Sequence, residues 1–109
     1  MKFRLLLLLL IPFLSVLTVQ GQKKQAIVVG RIVDENENPL SRATIALLGK
    51  TSGVNSSDSG TFRIVVPANK AFALIISHLG YKTEQRNFIL NENEVEQITI
   101  RMEPGSKEL

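Results

Sequence analysis

The chain has 109 residues, thirteen basic and ten acidic, with no cysteine, no tryptophan and a single histidine. The absence of cysteine excludes disulfide support, a lipid anchor carried on cysteine and, with one histidine, the usual zinc ligand sets. Scattered lysines and one tyrosine offer no stacking platform for nucleic acid.

The first twenty-one residues stand apart from the rest. Lys2 and Arg4 form a basic head, Leu5 to Leu17 is an uncharged apolar run, and Thr18-Val19-Gln20-Gly21 ends it with small residues at Val19 and Gly21. This is the three-part pattern of a secretory signal peptide. A membrane span needs about 20 apolar residues, and this run is shorter and carries Pro12 and Ser15. The pattern predicts a signal peptide over 1–21, cleaved after Gly21 to leave Gln22 as the mature N-terminus. Two basic residues leave with it, so eleven face ten and the net charge drops from +3 to about +1.

The mature chain is expected to form one small domain over 22–103. Chains of this size bury only about 60 to 65 per cent of their unfolded surface, so stability must come from compact packing and strand pairing. No stretch has convincing helical periodicity. The first strand-like run is Ala26 to Val33, which ends at the polar cluster Asp34-Glu35-Asn36-Glu37-Asn38-Pro39. Ala43 to Leu48 is the second, with Ala43, Ile45 and Leu47 on one side. Gly49 to Gly60 is a loop by composition. Thr61 to Val66 alternates Phe62, Ile64 and Val66 on one face until Pro67 stops it. Phe72 to Ser77 is apolar on both faces, which suits a central strand covered on both sides. Arg86 to Leu90 is a weakly signalled strand, and Gln97 to Met102 alternates cleanly. Pro104 and Gly105 end the last run, and 104–109 is expected to be a disordered tail.

Short alternating runs at near-regular spacing predict an all-β fold: a small Greek-key β-sandwich of about seven strands. Each strand has one apolar face that a second sheet must cover.

The spacing of the turn residues is informative as a set. Gly30-x-Ile32-x-Asp34, Pro39-Leu40-x-x-Ala43, Gly49, Gly53, Gly60-x-Phe62, Pro67, Leu74-x-x-Ser77 and Gly80-Tyr81-Lys82 together resemble the carboxypeptidase regulatory-like domain. The resemblance covers Ile27 to Met102 and implies a transthyretin-like sandwich. It also departs at one place. Members of that family usually carry an aspartate three residues before the glycine of the G-x-F hairpin, where this chain has Ser57, with Asp58 one place later. Serine can still make the side-chain turn bond, but an acidic ligand at this turn is not expected.

The stretch Ser77-His78-Leu79-Gly80-Tyr81-Lys82 gathers the lone histidine and the lone tyrosine beside a serine. Neighbouring side chains on a strand point to opposite faces, so Ser77 and His78 are poorly placed as nucleophile and base. The stretch reads as a strand end, a glycine corner and a partly buried Tyr81. The acidic stretches DENEN and NENEVE offer oxygen atoms but lack the spacing of a dedicated calcium loop. No catalytic, cofactor-binding or metal-ligating residue is therefore assigned, no cofactor is implied, and the chain is not read as an enzyme.

Open sheet edges are the more realistic functional surface: they can accept a strand from another chain, or their Lys and Glu side chains simply block aggregation. Domains resembling this one occur as the N-terminal extension of SusC-type TonB-dependent outer-membrane receptors, which import glycans or peptides. There the order is signal peptide, domain, linker, plug and barrel. The resemblance thus implies a non-catalytic interaction domain on the periplasmic side of the outer membrane. Its partner would be the rest of a receptor or another periplasmic protein, with no nucleic acid and no membrane insertion by the domain itself. The alternatives are a free-standing exported accessory domain, periplasmic or secreted, and a carbohydrate-binding module. The last is poorly supported, because exposed aromatics for sugar stacking are lacking.

Overall fold

The structure is a computed structural model that describes residues 24–105. The expected signal peptide over 1–21 lies outside the described residues, as do residues 106–109 of the expected tail.

Among the described residues the chain is all β, with seven strands in two sheets and no helix. The strands are β1 (Gln25–Val33), β2 (Thr44–Leu47), β3 (Gly53–Asn55), β4 (Thr61–Pro67), β5 (Ala71–Ser77), β6 (Glu84–Ile89) and β7 (Val95–Arg101). One sheet has the order β4-β1-β7 and the other β3-β2-β5-β6. The β1–β4 pair is antiparallel, whereas β1 and β7, the first and last strands, pair in parallel. The β2–β3 and β5–β6 hairpins stay within their sheet, and the other connections pass between sheets.

Alternation explains why these runs become strands. Val28, Ile32, Phe62, Ile64, Val66 and Ile100 point inward from the first sheet, and Ile45, Leu74 and Ile76 from the second. Together with Ala26, Ala43 and Met102 they form one buried cluster, and its burial is the main favourable term in folding. Gly30 sits in the middle of β1 for a steric reason. A Cβ there would lie 2.4 Å from the Ile98 carbonyl oxygen on β7 and 3.0 Å from the Phe62 ring.

The structure corrects the sequence reading at several points. Gly53–Asn55, placed in a loop, is a short edge strand paired to β2. β6 begins at Glu84, two residues before the expected Arg86, and β7 begins at Val95. β5 is central in its sheet, between β2 and β6, but only its inner face is covered by the other sheet. Its outer face carries Ala73 and the half-buried Ile75 with no further layer over them among the described residues. Pro104 and Gly105 are held in place: Pro104 bridges to Tyr81, and the Gly105 N–H donates to the Gly80 carbonyl at 2.8 Å.

Candidate interaction surface

The Ser77-to-Lys82 stretch is where reactive side chains are densest, and the structure uses them to turn a corner. Ser77 is the last residue of β5 and pairs with Thr44 on the outer face of its sheet. His78 leaves the strand, and its two ring nitrogens each face a carbonyl oxygen: Nε2 at 3.0 Å from Ser41 and Nδ1 at 3.1 Å from Leu79. No hydrogen bond joins Ser77 to His78 among the described residues. Tyr81 meets the imidazole edge to face, with centroids 5.3 Å apart, and packs against the core cluster. Gly80 has φ of 90°, the left-handed region that lets the chain reverse between them. The Tyr81 N–H then closes the turn on the His78 carbonyl at 3.0 Å. The imidazole is thus a tether from this corner to the β1–β2 connection.

The acidic stretches are turns of the same kind. Asp34 accepts the N–H groups of Asn36 (2.8 Å) and Asn38 (2.9 Å) on Oδ1, closing the loop after β1. The bond from the Asn38 N–H is the largest cause holding its carboxyl below the usual value, with Asn36 adding to it. Glu94 likewise accepts the Asn91 N–H at 2.8 Å and closes the β6–β7 turn. At the hairpin before β4, Ser57 does what an aspartate would. Its hydroxyl oxygen accepts the N–H groups of Ser59 and Thr61, both at 3.2 Å, and shares a hydrogen bond with Thr61 Oγ1 at 2.8 Å.

A residue that sequence reading passes over holds the centre of this end of the sandwich. Ser56 is the buried polar side chain among the described residues, 5% exposed. Its hydroxyl donates to the Leu40 carbonyl at 2.7 Å and accepts the Ala43 N–H at 2.9 Å. A serine inside Asn55-Ser56-Ser57 looks like loop composition, so nothing in the pattern distinguishes it.

With these side chains committed to shape, the sheet edges remain. Three of the four are protected. β3 is only three residues long. On β6, Arg86 pairs with Leu74 and Glu84 with Ile76, so both charges sit on the inward face, joined at 2.9 Å. On β7, Glu96 pairs with the fully buried Val28 and is likewise inward. Charges pointing inward on an edge strand discourage another strand from docking, because docking would bury them.

The fourth edge, β4, has no inward charge among the described residues and is guarded only by the exposed Arg63 and the terminal Pro67. Its inward residues are Phe62, Ile64 and Val66, all buried and apolar. The Ala68 N–H donates to Lys24 and the Ile32 N–H to Gly60, which places the narrow hydrogen-bonded pairs of β1 and β4 at the even-numbered positions. Arg63 and Val65 therefore direct their N–H and C=O groups away from β1, into the open. Beside this edge lies a groove of about 800 Å³ with Leu47, Phe72, Val65 and Pro67 among its lining. Lys24, Lys50 and Lys70 also line it, and among the described residues no carboxylate does. Leu48 (61% exposed) and Val65 (43%) add apolar surface facing solvent.

A search of the curated proteins finds no match. Among solved structures, the chain is similar to the TIE protein of Bacillus anthracis, at 14% identity and a TM-score of 0.60, over 74% of this chain and 17% of that one. It is similar to catechol 1,2-dioxygenase of Pseudomonas arvilla C-1, at 10% identity and a TM-score of 0.60, over 81% and 55%. It is similar, too, to a minor pilin of Streptococcus agalactiae, at 12% identity and a TM-score of 0.60, over 80% and 48%. The chain thus spans 17% of the first and about half of each of the others. At these identities the likeness is one of sandwich fold, and the dioxygenase chemistry does not transfer with it. The family model described as CarboxypepD_reg-like domain matches residues 28–109, which runs from inside β1 through every later strand. On that match, the chain belongs to the CarboxypepD_reg-like domain family.

Proposed function

We propose that this domain is a non-catalytic interaction module on the periplasmic side of the outer membrane. In this reading it is the N-terminal extension of a SusC-type TonB-dependent receptor for glycan or peptide uptake. The observation that carries the reading is membership of the regulatory-like family over residues 28–109. Two features support it. The leader pattern expected over 1–21 precedes the domain, in the order such receptors use. The His78, Tyr81 and Ser57 side chains are engaged in turns, which leaves edges and not a catalytic constellation as the functional surface.

Cell fractionation with an antibody against the domain tests this. The expected result is signal in the outer-membrane fraction, on a polypeptide of receptor size. Signal in the soluble extracytoplasmic fraction, on a product of the domain's own size, would replace this reading with that of a free-standing accessory domain.

A further inference from the structure

We infer that the free edge of β4 and its adjoining groove receive an extended segment of a partner polypeptide, one that is apolar on one face and carries carboxylates. The inference rests on the interaction-module reading and names the site through which it would act.

Three observations converge on this edge. First, its main chain is available. Arg63 and Val65 offer outward N–H and C=O groups in the spacing that an added strand pairs with. Thr61, by contrast, is closed off, since its N–H donates to the Ser57 hydroxyl and its carbonyl accepts the Ser57 N–H at 2.8 Å. Pro67, lacking an N–H, marks the other limit. The open stretch is short and bounded, which fixes the register of whatever docks.

Second, β4 is the least protected edge among the described residues. The short β3 and the inward charges of β6 and β7 resist strand addition, while the inward side of β4 is wholly apolar. A weakly defended edge beside an apolar groove is a liability unless it is covered in use.

Third, the charge of the groove selects the occupant. Lys50 and Lys70 make no ion pair among the described residues, and Lys24 has only an exposed contact with Glu92 at 3.7 Å. Three ammonium groups around an apolar lining suit a segment whose side chains alternate between apolar residues and carboxylates. A second copy of β4 fits less well, because it would set Arg63 and these lysines against their own kind.

The test uses the full chain as the cell processes it, labelled with ¹⁵N. The probe is a synthetic nine-residue peptide of alternating valine and threonine ending in two glutamates. Control peptides end in two lysines, or carry N-methyl groups on alternate amides. The inference predicts saturable binding of the acidic peptide, with the largest shifts at Arg63, Val65, Lys50 and Lys70. It predicts about tenfold weaker binding of the lysine peptide and none of the N-methylated one. Val65→Pro should abolish binding while the fold persists, because that N–H faces outward and is not bonded to β1. Lys50→Glu with Lys70→Glu should reverse the preference between the two charged peptides. Should Val65→Pro fail to fold, the N-methylated peptide asks the same question of the native chain. Absence of saturable binding, equal affinity for acidic and basic peptides, undiminished binding by folded Val65→Pro, or self-association through β4 would each overturn the inference. Fractionation with a receptor-sized product can still succeed in any of those cases, so the two readings fail separately.

Discussion

His78 Nε2 lies 3.0 Å from the carbonyl oxygen of Ser41, a residue thirty-seven positions earlier in the chain. This contact ties the β5–β6 corner to the connection leaving β1, with the Tyr81 ring held edge to face against the imidazole. The histidine thus serves as a structural strut. His78→Ala should reduce unfolding free energy by about 0.5–1.5 kcal/mol in urea titration. A double-mutant cycle with Tyr81→Leu should show the two residues coupled, whereas a histidine free to act as a base would show no such coupling.

Ser56→Ala is expected to cost more than its size suggests. The hydroxyl joins Leu40 and Ala43 at a buried site, so its removal leaves the Ala43 N–H and one Leu40 lone pair without that partner. The expected loss is about 1–3 kcal/mol, read from the denaturant midpoint. Ser57→Ala, at an exposed turn, should cost less.

Acid should weaken the turn after β1. The N–H groups of Asn38 and Asn36 favour ionised Asp34, which lowers its folded pKa from the usual 3.8. A lowered carboxyl contributes stability that is fully present above its unfolded value, and the contribution is lost as pH falls through the folded one. The melting temperature of the native chain should therefore drop more steeply below about pH 4 than that of Asp34→Ala. Parallel curves would show that the turn bonds do not favour the carboxylate.

The ion pair on β6 is predicted to matter for solubility more than for stability. Glu84 and Arg86 sit inward at an edge but are only half-buried, so the pair itself adds little to stability. Glu84→Val with Arg86→Val should keep or raise the melting temperature while promoting self-association, as measured by sedimentation velocity. A monomeric double variant would mean that these charges do not guard the edge.

Much of this architecture is legible in the sequence, and the reasons differ from element to element. Phe62, Ile64 and Val66 announce β4 because alternation and a terminal proline are local signals. β3 gives no such signal. Gly53-Val54-Asn55 has loop composition and becomes a strand only by pairing with Thr44 to Ala46. The start of β6 is hidden because Glu84 and Arg86 occupy inward positions that a period-2 pattern assigns to apolar residues. The parallel pairing of β1 with β7 joins the two ends of the domain, and no neighbouring residues encode it. The SHLGYK stretch is legible as a corner from glycine and strand alternation, but the Ser41 contact is not. Of the interaction surface, the presence of edges is foreseeable. Which edge is least protected depends on register, and register appears only in three dimensions.

Residue-resolved amide exchange tests most directly whether the β4 edge stands open. Phe62, Ile64 and Val66, bonded to β1, should exchange slowly, while Arg63 and Val65, on the same strand, should exchange at nearly the rate of a free chain. Slow exchange at Arg63 and Val65 in the isolated protein would mean that the edge is already covered, and would contradict an open β4.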